Sequence, residues 1–121
     1  MVVEGNLTQN KTIGESAKRR APRVAHVLHK GIRYEILQGA RTRGFKQNGG
    51  VISAIDVSSG KELWTLLVYA TQYDESEESD VQDVFITEMH LSSEGRALHL
   101  KTEDQRNFVV NLSDRSVTEV K

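Results

Sequence analysis

From Arg23 onward, apolar residues recur at every second position in short runs, and each run ends on Gly, Ser, Asp or Asn. A period of two places alternate side chains on opposite faces of an extended strand, and a helix cannot gather such a pattern into one stripe. The chain is therefore expected to be all-β. The spacing predicts strands over residues 24–28, 32–37, 51–57, 61–69, 83–91, 96–101, 107–112 and 117–120. His29-Lys30-Gly31, Ser58-Ser59-Gly60, Ser92-Ser93-Glu94-Gly95, Thr102 to Gln105 and Ser113-Asp114-Arg115 read as turns. Eight short strands at hairpin spacing make an antiparallel meander. In the fifth strand Phe85, Met89 and Leu91 share one parity, and in the sixth Leu98 and Leu100 face away from His99.

Two connections are longer. Residues 39–50 form a basic loop with four glycines, and residues 71–82 form an acidic one. Residues 1–22 have few apolar positions and read as a flexible basic arm, with Pro22 marking the entry to folded structure. The expected organisation is that arm followed by one β domain over 23–121, built from a unit at 23–70, the acidic loop and a unit at 83–121.

Composition narrows the chemistry. With 121 residues and no cysteine, the chain is one domain without disulfides or thiolate metal sites. It has no 18-residue apolar run and no secretory apolar region near its start, so a cytoplasmic location is expected. Charge is unevenly spread: residues 1–50 carry ten Lys and Arg against three acids, and residues 51–121 carry six against fourteen. Such polarity steers partners, or pairs one copy with another, unless the two halves fold together and cancel it.

The two halves resemble each other. Ile55-Asp56-Val57-Ser58-Ser59-Gly60 aligns with Val110-Asn111-Leu112-Ser113-Asp114-Arg115, and Leu28 before its turn aligns with Leu91 before Ser92 to Gly95. Gly50-Val51-Ile52-Ser53-Ala54-Ile55-Asp56 followed by Ser58-Ser59-Gly60-Lys61-Glu62-Leu63-Trp64 resembles the blade repeat of quinoprotein-type β-propellers. Met89 to Leu98, with Ser92-Ser93-Glu94-Gly95 between, is similar to the first hairpin of WD-type blades. The resemblance is tightest at residues 50–64. In the second unit Asn111 stands for the aspartate, Arg115 for the glycine, and Glu119 lies near the tryptophan position.

The resemblance implies structural roles for Asp56, which accepts hydrogen bonds in its turn, for Gly60, which takes the left-handed position, and for Trp64, which plugs the space between sheets. It implies a fold and not an activity. No quinone or other cofactor is carried over. Propellers take about four to eight blades. Two units must either pack on each other or close a ring with further copies, and self-association is the expectation taken here.

Candidate sites are few. His26 and His29, three apart on a strand, point to opposite faces. His90 and His99 share one face of a hairpin with Glu88 and Lys101. They are weak candidates for a two-histidine metal site or a pH-sensitive patch, against the plainer reading of a solvated face. Counting twelve residues from Asp74 puts Phe85 where a calcium loop needs its bidentate Glu and Ser79 where it needs Gly, so that pattern fails. Asp74, Glu75, Glu77, Glu78 and Asp80 remain as a docking site for a basic partner. Arg41, Arg43, Phe45 and Lys46 form a basic patch with one aromatic. No nucleophile is set beside a base, so no catalytic residue is assigned and no enzyme is expected. The function expected is a small interaction module that binds a protein partner. The alternative is binding of nucleic acid or an anionic ligand through loop 39–50.

Overall fold

The computed structural model describes residues 20–73 and 82–121. Of the expected arm only residues 20–22 fall within this range, and Asp74, Glu75, Glu77, Glu78 and Asp80 lie outside it. The chain divides into two compact units. One comprises 21–71 and 84–121. The other includes Arg20, Gln72, Tyr73, Gln82 and Asp83, and within it the Tyr73 hydroxyl donates to the Asp83 carboxylate.

The larger unit is all-β. Its first antiparallel sheet runs in sequence order: β1 (Val27–His29), β2 (Ile32–Ile36), β3 (Val51–Asp56) and β4 (Glu62–Leu67). The second repeats the plan with β5 (Ile86–Leu91), β6 (Ala97–Thr102), β7 (Asn107–Asn111) and β8 (Val117–Val120). The two four-stranded sheets stay separate, so no barrel closes. Among the described residues no helix is long and apolar enough to cross a membrane.

The turns explain the boundaries. Lys30 and Gly31 both adopt positive φ (53° and 78°), the two-residue hairpin whose twist matches its strands. In the β3–β4 turn Gly60 N donates to Asp56 O (2.7 Å), and in the β7–β8 turn Arg115 N donates to Asn111 O (2.7 Å). The sequence alignment of these segments is thus a structural equivalence, and Arg115 takes the left-handed φ (62°) that Gly60 takes at 74°.

In the fifth strand Met89 and Leu91 share the core side as expected, and a bulge adds a buried residue of the other parity. Phe85 precedes β5, and the register shifts between Ile86 and Glu88, so Ile86 and Met89 are both buried although they differ in parity. Loop 39–50 is also more ordered than its composition suggests. It holds a 3-10 turn, Ala40–Arg43, bracketed by Gly39 and Gly44 at positive φ. Buried Gln47 then donates to Gly49 O (2.7 Å) and Tyr69 O (2.8 Å) and accepts from Thr71 N (2.8 Å), stapling the loop to the end of the first unit. A side chain at Gly49 would meet Val84 O at 2.1 Å, so only glycine fits there.

The sheets share one core. Tyr34, Ile52 and Ala54 of the first pack with Leu98, Leu100 and Val110 of the second. The register shows how they stack. Ile32 pairs with Asp56, and Ala97 with Asn111, so Tyr34 is equivalent to His99, and Arg33 and Glu35 to Leu98 and Leu100. Tyr34 faces the core while His99 faces out. Leu98 and Leu100 face the core while Arg33 and Glu35 face out. The second sheet is therefore a displaced copy of the first, with the back of one on the front of the next. A sandwich related by a twofold axis would bring equivalent positions together. The halves pack on each other, as one of the two expected arrangements required.

Candidate functional site

Front-to-back stacking leaves two unmatched outer faces. That of the first sheet follows from its register: Leu28 pairs with Arg33 and Arg33 with Ile55, Glu35 with Ser53 and Ser53 with Thr65, and Val51 with Leu67. The register shift between Ala54 and Ile55 sets both Glu62 and Leu63 opposite outward-facing Ile55, so Leu63 falls on this side as well. Leu28, Leu63 and Leu67 are 61%, 49% and 41% exposed. Between them Arg33 Nε donates to Glu35 Oε1 at 2.8 Å. Leu28 is equivalent to Leu91, which packs against the core. The same position is thus covered in one sheet and open in the other.

The basic loop reaches both ends of this face, Val51 at one and Glu62 at the other, and Ser53 between them is 1% exposed. Val51 is fully buried with Leu37 and Ala40, and Phe45 packs on that cluster. Arg43 reaches β4 and forms a two-pronged ion pair with Glu62 (2.5 and 3.1 Å). The pair holds the Arg43 guanidinium above its ordinary range, and the Arg43 hydrogen bonds hold the Glu62 carboxyl below its own. Arg41 is half-buried, its amide donating to Asn48 Oδ1 (3.0 Å), and Lys46 is exposed. Loop 39–50 is a structural flap whose aromatic is already packed. Of the four residues expected to grip an anion, Lys46 and Arg43 reach the surface, and Arg43 is committed to Glu62.

The outer face of the second sheet carries the histidines. His90 and His99 are direct cross-strand partners, with rings stacked at 5.3 Å between centroids. Glu88 faces Lys101 in the next row, and with Asn107, Val109 and Val120 these residues line a groove of about 370 Å³. Among the described residues, no group of three or more His, Asp or Glu side chains is placed to hold a metal ion.

The structural residues occupy the places the turns require. Asp56 accepts from Ser58 Oγ (3.1 Å), Ser59 Oγ (2.6 Å) and Ser59 N (3.2 Å), and the Ser59 and Ser58 hydroxyls draw its carboxyl below the usual range. Trp64 is half-buried between the sheets, 6.0 Å from the Tyr34 ring, with the Arg115 guanidinium 5.5 Å over its face. Sequence reasoning missed a second such stack. Arg106 lies 4.9 Å from the Phe108 ring and 5.9 Å from Tyr69, those rings stack at 5.2 Å, and Arg106 is forked onto Glu119 (3.1 and 3.0 Å). Glu119 near the tryptophan position was the available signal. A carboxylate on the core-facing side of β8 needs a cation, and Arg106 supplies it.

No protein-family model, curated protein or solved structure matches the chain.

Proposed function

We propose that this protein is a non-catalytic interaction module that binds a protein partner on the outer face of its first sheet. The observation that carries the reading is that Leu28 on β1 and Leu63 and Leu67 on β4 are exposed, flanking the Arg33–Glu35 pair, on a face whose equivalent in the second sheet is covered. Apolar side chains grouped on one sheet face mark a binding surface better than scattered ones do. The ion pair gives that surface a fixed polar centre that sets partner orientation more than affinity. Each sheet in this reading is a blade-like unit, and the partner takes the place of the next unit in the stack. A second copy of the chain is one such partner.

In-cell photo-crosslinking tests this directly. With a benzophenone amino acid at Leu63 we expect a discrete crosslinked species that disappears when Leu28 and Leu67 are changed to serine. The same probe at Val109, on the opposite outer face, gives none. A species at Val109 alone, or at neither site, refutes the assignment. Its mass separates a second copy from a different protein.

A further inference from the structure

A cleft of about 430 Å³ opens at the turn end of the larger unit, where hairpins from both sheets converge. Its apolar lining is Ile32, Tyr34 and Leu112, and its polar rim includes His29 and the cations Lys30 and Arg96. It is remote in kind from the leucine face, since Ile32 and Tyr34 belong to the inward side of the first sheet.

Its polar groups agree in sign. Lys30 and Arg96 are exposed and form no ion pair among the described residues. The Asn111 carbonyl oxygen is occupied by Ser113 N (2.8 Å) and Ser113 Oγ (2.9 Å), which leaves its NH2 group as the available function. Tyr34 is 5% exposed, yet its hydroxyl has no hydrogen-bond partner among the described residues and is not among the sealed, unsatisfied polar atoms. An unbonded hydroxyl that still reaches solvent on a cleft-lining residue is a donor in waiting. Burial pushes the Tyr34 phenol up, so it keeps its proton. Among the described residues no carboxylate lines the cleft.

The backbone adds a second sign. Lys30 sits at φ 53° in a turn position that Asn, Asp or Gly usually takes. Strained φ held at a cleft rim is where functional side chains are often found. The second hairpin closes against the first, since a side chain at Gly95 would lie 2.9 Å from His29 Cε1. This close approach fixes the imidazole at the rim.

We infer that the cleft binds a small organic oxyanion, a carboxylate or phosphate group carried on an apolar ring or branched chain. The anion meets Lys30 and Arg96 from the two hairpins, and the apolar body lies on Ile32, Tyr34 and Leu112. Cleft size suits a ligand of one ring, and cations from separate elements make affinity depend on salt.

Amide NMR titrations of the full chain test it, with benzoate, phenyl phosphate, benzyl alcohol and inorganic phosphate as probes. Benzoate, phenyl phosphate or both should shift the amides of Lys30, Gly31, Arg96 and Leu112 saturably, and which of them binds tells carboxylate from phosphate. Benzyl alcohol and inorganic phosphate should each bind at least roughly tenfold more weakly, since one lacks the charge and the other the apolar body. Lys30→Gln and Arg96→Gln change exposed side chains and should each weaken the anion by roughly tenfold, with the remaining spectrum unchanged as proof of folding. Absence of saturable shifts with both aromatic anions, equal binding of inorganic phosphate, or undiminished binding by both variants overturns the inference.

Discussion

Asp56 and Asn111 hold equivalent turns with different chemistry. Each accepts from a serine amide and serine hydroxyl just downstream, but only Asp56 titrates. Its carboxyl is held low by the Ser59 and Ser58 hydroxyls, that of Asp114 by Ser116, and those of Glu62 and Glu119 by Arg43 and Arg106. A carboxyl with a lowered folded value contributes stability that is complete above its ordinary range. As pH falls, the unfolded chain takes up protons first, and the contribution is lost as pH passes down through the folded value. The thermal midpoint should therefore be flat near neutrality and drop in acid. Asp56→Asn keeps a turn acceptor, as the second sheet does with Asn111, and should make the acid decline shallower. Equal declines in variant and parent would show that Asp56 is not coupled to folding. Asp56 was legible in the sequence because turn chemistry is local. Gln47 was not, because its partners Tyr69 and Thr71 are distant in the chain.

At the level of elements, the alternation of apolar residues located every strand to within a few positions, because a sheet that buries one face must repeat at two. It failed at the bulges. The register shift between Ile86 and Glu88 buries Ile86 together with Met89, two positions of opposite parity, and the shift between Ala54 and Ile55 sets Trp64 opposite Ala54. A bulge adds one residue without changing composition, so alternation alone does not reveal it. Trp64 then touches both sheets, through Tyr34 and Arg115. Because it is half-buried, Trp64→Ala should cost about 2–3 kcal/mol in chemical unfolding, less than a sealed tryptophan. A loss below about 1 kcal/mol would mean that the ring does not bridge the sheets. The stack of Arg106 on Phe108 and Tyr69 does a similar job from the opposite direction, with the cation supplied by the second sheet.

For the whole molecule, the internal repeat was legible but its consequence was not. Sequence showed that Asp56 matches Asn111, and equivalence alone fits a twofold sandwich as well as a front-to-back stack. The stacking sense is written in which equivalents are apolar: Leu98 and Leu100 inside against Arg33 and Glu35 outside, Tyr34 inside against His99 outside. Polar residues at the outer positions resemble the solvated end faces of repeat proteins, which cap a stack. The leucines of the first sheet interrupt that cap, and the proposed partner surface lies there. Of the loop residues singled out in the sequence, Arg43 is paired with Glu62 and the Phe45 ring packs on the cluster around Val51. Charge is visible in a sequence, whereas its commitment to Glu62 depends on the fold.

Single cysteines test the stacking sense most directly, since the chain contains no other thiol. We expect Leu28→Cys, Arg33→Cys and His99→Cys to react with a soluble thiol reagent at nearly the rate of an unfolded peptide. Ala54→Cys and Val110→Cys should react only through unfolding, slower by orders of magnitude. Protection at Arg33→Cys with rapid reaction at Ala54→Cys would mean that the first sheet presents its other face to the second, and would contradict the front-to-back stack.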